Sequence, residues 1–386
     1  MSYLYWPHFT QEEVNAVSRV LLSSKVNYWT GEECRLFEKE FATFADCKYA
    51  VALANGTVAL DTALKAIGLK EADEVITTPR TFIATASSIV NTGAIPVFAD
   101  VDLDSQNITA ESIKEVLTKK TKAIIVVHLA GRPAEMDAIM DLSREHNLFV
   151  IEDCAQAHGA RYKNKSVGSI GHIGTWSFCQ DKIMTTGGEG GMVTTNDEEL
   201  WSKMWSYKDH GKSYEAVYKR QHPPGFRWLH ESFGTNGRMM EMQAAIGRIQ
   251  LGYVKDWVRI RQRNAQIIEE ALENFRVVRT VKIPNYMEHA YYRFCIFIEP
   301  QFLKRGWTRD KIIEKINNKG VPCMQWICSE VYLEKAFEKK NLRPKKRLRN
   351  EKILGETGIA FLVHPTLTEE KMREDVKTIV NVLKGL

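Results

Sequence analysis

Apolar residues recur with two different spacings along the first half of this chain, and the alternation between them predicts the architecture. Short apolar runs, at Tyr49 to Ala54, EVITT, IPVFAD, KAIIVVHL and LFVIED, have the length and β-branched content of buried strands. Between them lie stretches with helical spacing: VALDTALKAIG after Thr57, a segment from about Phe82, another from about Ala110, and AEMDAIMDLSREH. This alternation predicts an α/β fold with a mainly parallel central sheet and helices on both faces. Ahead of it, TQEEVNAVSRVLLSS begins with Thr10 and has Glu13 three residues later, the capping-box pattern of a helix start. CRLFEKEFATFA follows as a second amphipathic helix.

Beyond about residue 195 the pattern changes. A polar segment broken by glycine and proline, Lys208 to Gly237, separates two helical regions and carries Lys212, Lys219, Arg220, His222, Arg227, Trp228 and His230. Such a mixture suits a nucleotide diphosphate or a solvated surface. The run MMEMQAAIGRIQLGYVKDWVRIRQRNAQIIEEALENF is long enough to bridge domains or subunits. VVRTVKI, YRFCIFIEP, RDKIIEKINNKG and a terminal helix from about Glu369 then predict a smaller α+β domain. We therefore expect a large domain over 1–250 and a small one over 251–386, with RPKKRLR at 343–349 as an exposed loop or helix face.

Composition removes several functions. The formal charge of +5 is a small excess of 53 basic over 48 acidic residues, so nothing global points to nucleic acid. Seven cysteines without a CxxC pair or interleaved histidines argue for free thiols in a reducing compartment and against a metal site. Residues 1–20 do not read as a signal peptide and no apolar run is long enough to span a bilayer, which predicts a cytoplasmic protein.

Candidate chemistry concentrates in residues 151–191, IEDCAQAHGARYKNKSVGSIGHIGTWSFCQDKIMTTGGEGG. The run Leu148 to Ile151 ends at Glu152 and Asp153, placing the acids at the carboxyl edge of a strand, where open α/β sheets bind ligands. A second run, Ile173 to Phe178, leads through Cys179, Gln180 and Asp181 to Lys182, with Gly187 to Gly191 behind it. A lone lysine beside glycines that admit close approach is a candidate amine nucleophile. Pyridoxal phosphate needs such a lysine for its Schiff base and a carboxylate to keep its ring nitrogen protonated. Asp153 and Lys182 meet both needs, although a surface lysine and a strand-end aspartate of an unrelated protein look the same in isolation. Asn55, Gly56 and Thr57 stand between a strand and a helix start, where free amides attract anions or a cap simply closes the helix. Phe82, past Pro79 and Arg80, is placed to lie on a planar cofactor or to join the core.

Taken in order, TGEECRLFEKEFA, ALANGTVALDTAL, PRTFIATASSIV, GAIPVFADVD, VVHLAGRPAEMDAI, IEDCAQAHGARY, VGSIG, SFCQDKIMTTGGEGGMVTT and NGRMMEMQAAIGRIQL resemble one family through nearly the whole chain. It is the DegT/DnrJ/EryC1/StrS family of nucleotide-sugar aminotransferases, a branch of the fold type I pyridoxal phosphate enzymes. The resemblance implies Lys182 as the Schiff-base lysine and proton shuttle, its pKa lowered by burial. It implies Asp153 at the pyridinium, Gln156 at the phenolic oxygen, Gly56, Thr57 and Ser177 at the phosphate, and Phe82 stacked on the ring. Asn236 would reach the neighbouring subunit's phosphate, which implies a homodimer. Lys208, His210, Arg227, Trp228, Gln325 and Trp326 are candidate substrate contacts.

The chain departs from many members in SFCQDK and in GGEGG, so substrate contacts there do not carry over. Sister dehydratases have histidine in place of the lysine, and Lys182 argues against that branch. The family's usual donor is L-glutamate and its acceptors are nucleotide-linked keto sugars. We expect amination at C4 of a UDP-4-keto-6-deoxy-N-acetylhexosamine for bacterial surface-glycan (O-antigen or diacetamido sugar) biosynthesis. C3 amination and dTDP or GDP carriers stay open. Two other readings stand beside this one: a desulfurase or retro-aldol enzyme on the same scaffold, the former needing a mobile catalytic cysteine for which none of the seven stands out, and a non-catalytic regulator, which predicts loss of Lys182 or Asp153, although both are present.

Overall fold

The computed structural model describes residues 5–221, 225, 227–325 and 328–385. Helix α1 (Gln11–Leu22) starts at the expected capping box, in which Thr10 and Glu13 exchange hydrogen bonds. In α2 (Glu33–Phe44) the apolar stripe brings Phe37 and Phe41, both fully buried, towards the central sheet. Strands β1 (Tyr49–Leu53), β2 (Glu74–Thr77), β3 (Ile95–Phe98), β4 (Thr121–Val127) and β5 (Phe149–Asp153) alternate with helices α3 (Gly56–Ala66), α4 (Ile83–Asn91), α5 (Ala110–Lys114) and α6 (Met136–His146). A short hairpin, β6 (Arg161–Tyr162) and β7 (Lys165–Ser166), precedes β8 (Ile173–Ser177) and β9 (Gly191–Thr195).

The seven-stranded sheet has the order β1-β9-β8-β5-β4-β2-β3. Only β9 runs against its neighbours, β1 and β8, so the sheet is mainly parallel as the alternation requires. On one face Phe41 meets Trp176 and Phe178 edge-on at centroid separations of 5.2 and 5.3 Å. Aromatic edges against faces add directionality to that burial. The tight packing holds the carboxyl end of β8, and hence the segment leading to Lys182, against α2.

Helices α7 (Glu198–Lys208) and α8 (Tyr214–Tyr218) lead to α9 (Glu241–Leu272). The segment expected as irregular thus contains a short helix, capped by Ser213 and packed through Tyr214 on Trp205. One aromatic per turn was enough to fix it, a signal too brief to read as periodicity. The 250/251 boundary of the sequence reading falls inside α9. Ala244, Val254 and Val258 of that helix join the core under the large sheet, and Ala265, Ile268 and Leu272 join the core of the smaller unit.

The smaller unit contains β10 (Val278–Thr280), β11 (Met287–Glu288), β12 (Phe294–Ile298), α10 (Arg309–Asn317), β13 (Cys323–Gln325), α11 (Lys335–Lys339), α12 (Arg349–Thr357), β14 (Gly358–Phe361) and α13 (Glu369–Leu383). Its antiparallel sheet has the order β10-β12-β14-β13, while β11 pairs with β6 of the large unit. A buried polar joint also ties the units. Arg80 Nη1 lies 3.3 Å from Glu351 Oε1 with both side chains fully buried, and Val331 N donates to Pro79 O at 2.9 Å. Nearby, Arg347 grips Glu330 with two bonds of 2.6 Å, so the basic run at 343–349 supplies a structural ion pair. Among the described residues no helix is long and apolar enough to cross a membrane.

Burial pushes the Glu351 carboxyl up to about 7 against the pull of Arg80. A carboxyl with a raised folded-state pKa binds its proton more tightly folded than unfolded. Its stabilising contribution is therefore full at low pH and is lost as pH rises through about 7. Glu351→Gln should flatten that part of the profile, so that the variant loses less stability than the wild type between pH 5 and pH 8 in urea denaturation.

Candidate active site

A pocket of about 730 Å³ opens over the carboxyl ends of β4, β5 and β8 and the amino ends of α3 and α4. It brings together Gly56, Thr57, Phe82, Asp153, Gln156, Ser177 and Lys182, residues spread over more than a hundred positions of sequence. Asp153 ends β5 and is buried. Its Oδ2 accepts from Thr85 Oγ1 at 2.9 Å and its Oδ1 from the Ala155 amide at 3.2 Å. Burial raises its pKa, opposed by those two donors and by the charge of Lys182. A carboxylate in that position gains from a cationic partner in the pocket.

Strand alternation turns Glu152 to the other side. There its Oε1 accepts from the amides of Ile170 and Gly171 at 2.8 and 2.6 Å, and its Oε2 from Gly168 at 2.9 Å, with His128 Nε2 also at 2.9 Å. His128 Nδ1 accepts from Ala134 N, which assigns the ring proton to Nε2. Cys154 lies close enough to complete a metal triad, yet the donors around Glu152 already fill its lone pairs and make the group a brace for β5.

The phosphate end follows from α3. Asn55 caps it by accepting from Val58 N at 2.9 Å, leaving the first amides of the helix, at Gly56 and Thr57, for an anion. A Cβ on Gly56 would stand 2.6 Å from Ser177 Cβ, and one on Gly191 would stand 2.3 Å from Asn55 O, so both positions exclude side chains. Ser177 Oγ accepts from Cys179 N and its hydroxyl proton is available for a phosphate oxygen. Gln156 Oε1 accepts from Ala130 N at 2.8 Å, which leaves its Nε2 group as the donor for a phenolic oxygen. Phe82 is 60% exposed beside the pocket, a large apolar surface placed to be covered by a planar ring. Anion cradle, aromatic platform, buried carboxylate and lysine together fit pyridoxal phosphate.

Lys182 itself sits 3.4 Å from Asp181 Oδ1 and 5.2 Å from the centroid of the Tyr292 ring. Tyr292 donates its hydroxyl to Asp181. Burial alone is expected to lower the lysine pKa. Burial does pull that way, but Tyr292 and Asp181 outweigh it and hold the amine above its ordinary value.

The remaining candidates scatter. Lys208 is fully buried at the end of α7, with Nζ 3.4 Å from the Tyr28 ring centroid and 3.7 Å from Glu38 Oε1. That corrects its assignment as a substrate contact: it is an interior cation, its pKa lowered by burial. His210, Arg227, Trp228 and Gln325 are exposed and do not line the pocket, and Asn236 is exposed in a backbone bridge with Asp209. His222 and Trp326 lie outside the described residues. Sequence reasoning missed Thr85, Tyr292 and the His128–Glu152 brace. Thr85 lies one helical turn beyond Phe82, a spacing that could have placed it in the site. Tyr292 arrives from the small unit with no local signal.

The sequence profile of the DegT/DnrJ/EryC1/StrS aminotransferase family matches residues 7–383. An aminotransferase of known structure from Psychrobacter cryohalolentis is 59% identical and superposes with a TM-score of 0.98, covering 100% of this chain and 99% of its own. GDP-perosamine synthase of Escherichia coli O157:H7 is 38% identical over 318 residues, 81% of this chain and 82% of that protein. dTDP-3-amino-3,6-dideoxy-alpha-D-galactopyranose transaminase of Aneurinibacillus thermoaerophilus is 34% identical over 81% of this chain and 82% of its own length. With the pocket geometry, these similarities identify the chain as a pyridoxal phosphate-dependent member of the DegT/DnrJ/EryC1/StrS aminotransferase family.

Proposed function

We propose that this enzyme moves an amino group from L-glutamate to C4 of a UDP-linked 4-keto-6-deoxy-N-acetylhexosamine, as a homodimer, in bacterial surface-glycan synthesis. The observation that carries the reading is one pocket that unites Lys182, Asp153, Phe82 and the Gly56 cradle. Two relatives named for nucleotide-linked amino sugars, one GDP-linked and one dTDP-linked, support the substrate class. The UDP carrier, the N-acetyl group and the cytoplasmic setting rest on resemblance to surface-glycan members of the family.

When bound, the cofactor supplies an electron sink for the carbon that gains or loses the amine. Asp153 keeps the ring nitrogen protonated, and Thr85 and the Ala155 amide hold the carboxylate in line. Gly56, Thr57 and Ser177 anchor the phosphate without a basic side chain, through amides and a hydroxyl. Lys182 would hold the cofactor through its aldehyde, and its free amine would move a proton at the reacting carbon. Asp181 and Tyr292 position its amine between those tasks. Donor and acceptor use the same pocket in turn, which gives ping-pong kinetics. Asn236 completes the phosphate site of the partner, and His210, Arg227, Trp228 and Gln325 meet the sugar nucleotide.

Because Asp181 raises the Lys182 pKa and only the neutral amine attacks an aldehyde, Asp181→Asn should move the pH midpoint of cofactor capture by the apoprotein downwards. A midpoint that stays or rises would detach Asp181 from this role. Product assays with glutamate should give a kcat/KM for UDP-4-keto-6-deoxy-N-acetylglucosamine at least about tenfold above those for GDP- and dTDP-linked 4-keto-6-deoxyhexoses. Preference for either of the others, or a new C–N bond at C3 by NMR, would replace the proposed substrate.

A further inference from the structure

Beside the cofactor pocket, and sharing Asp181 with it, lies a second cavity of about 330 Å³ walled by Trp6, Arg261, Tyr292, Arg293, Met324 and His364. Arg261 comes from the middle of α9 and is 2% exposed. Its Nη1 donates to the carbonyl oxygens of Tyr292 and Tyr291 at 3.2 and 3.4 Å. Its Nε and Nη2 are buried and find no partner among the described residues. Those two nitrogens form one edge of the guanidinium, the edge that grips a carboxylate with two parallel hydrogen bonds. Leaving such donors unmet in the interior costs their full desolvation.

The charge around them is lopsided. Arg293 stands over the Tyr292 ring at 5.0 Å and forms no ion pair among the described residues. Burial and the neighbouring Arg293 together pull the Arg261 pKa down to about 9. His364 is kept neutral, its pKa lowered to about 3 by burial and by both arginines. Burial opposes the charge of Asp181, but Lys182, Tyr292 and Arg293 hold its carboxyl below the ordinary value, so its negative charge is already shared. Among the described residues the cavity thus sets two guanidinium groups against one carboxylate, Asp181, which is already engaged by Lys182 and Tyr292. Trp6 closes one side, its Nε1 donating to Lys182 O at 2.7 Å and its ring 5.1 Å from the Arg261 guanidinium.

We propose that Arg261, assisted by Arg293, binds a carboxylate of the acidic amino donor. The proposal rests on the donor reading above and adds the residues that recognise it. An amino acid carries a carboxylate on the very carbon that loses the amine, so one of its anions must lie close to Lys182. The diphosphate of a sugar nucleotide is separated from its ketone carbon by the pyranose ring and falls farther away. The side-on edge of Arg261 suits a planar carboxylate, and a cavity less than half the size of the cofactor pocket suits a small amino acid.

The test uses holoenzyme with Arg261→Met, Arg261→Lys and Arg293→Gln, each checked for folding by its melting temperature. Calorimetric titration with glutarate, a dicarboxylate with no amine to transfer, reads the site without turnover. Arg261→Met should raise its Kd at least about tenfold, and Arg261→Lys should recover only part of the loss, as a point charge without the fork. In stopped-flow measurements the second-order rate constant with glutamate should fall about 100-fold, at least ten times more than that with the keto sugar. If Arg261→Met fails to fold, Arg293→Gln should show the same bias at smaller size. Unchanged glutarate affinity overturns the proposal. A loss concentrated in the sugar half-reaction reassigns the guanidinium to the diphosphate and overturns it too. Wild-type enzyme that ignores glutamate but binds glutarate through Arg261 would instead sink the donor reading and keep the carboxylate site.

Discussion

The buried carboxylate of Asp153 is the constraint on which the rest of this site depends. Burial at the end of β5 makes its charge expensive, and the protein answers with two hydrogen bonds and the nearby field of Lys182. In the proposed function a protonated ring nitrogen would complete the compensation. Everything around the carboxylate serves to keep it in place. Glu152, one residue earlier and on the opposite side of the strand, takes three backbone amides and His128, so β5 cannot twist without breaking a saturated network. The aromatic packing of Phe41 on Trp176 and Phe178 does the same for the strand that leads to Lys182.

The second requirement is registry between the two units. Phe82 belongs to the large unit, while Tyr292 and Arg293 come from the small one. Their relative placement is held by α9, whose residues enter both cores, and by the buried Arg80–Glu351 pair beside the Phe82 turn. Removing one member of a buried pair leaves the other uncompensated, so this joint is expensive to break. A joint of that kind suits a site that must keep a platform and a lysine partner aligned across an interface.

Much of this was legible in the sequence. The strand and helix alternation up to residue 195 yields the parallel sheet, because buried parallel strands read as unbroken apolar runs. Asp153, Lys182, Gly56, Gln156, Ser177 and Phe82 meet in one pocket as the motifs implied. What stayed hidden were interactions made between distant segments. Lys208 looked like a binding lysine because sequence gives no hint of the Tyr28 ring and Glu38 that enclose it. Tyr292 reaches Lys182, and Arg261 reaches the cavity beside Asp181, only through the fold, and the raised pKa of that lysine follows from Tyr292 and Asp181 rather than from its own burial.

The central claim is that one lysine and one carboxylate serve two half-reactions in a single pocket. The most direct test is a visible absorption spectrum of the protein reconstituted with pyridoxal phosphate, recorded before glutamate, after it, and again after UDP-4-keto-6-deoxy-N-acetylglucosamine. The expected result is a band that glutamate bleaches and the keto sugar restores. A protein that acquires no band with the cofactor, or whose band glutamate leaves untouched, would contradict it.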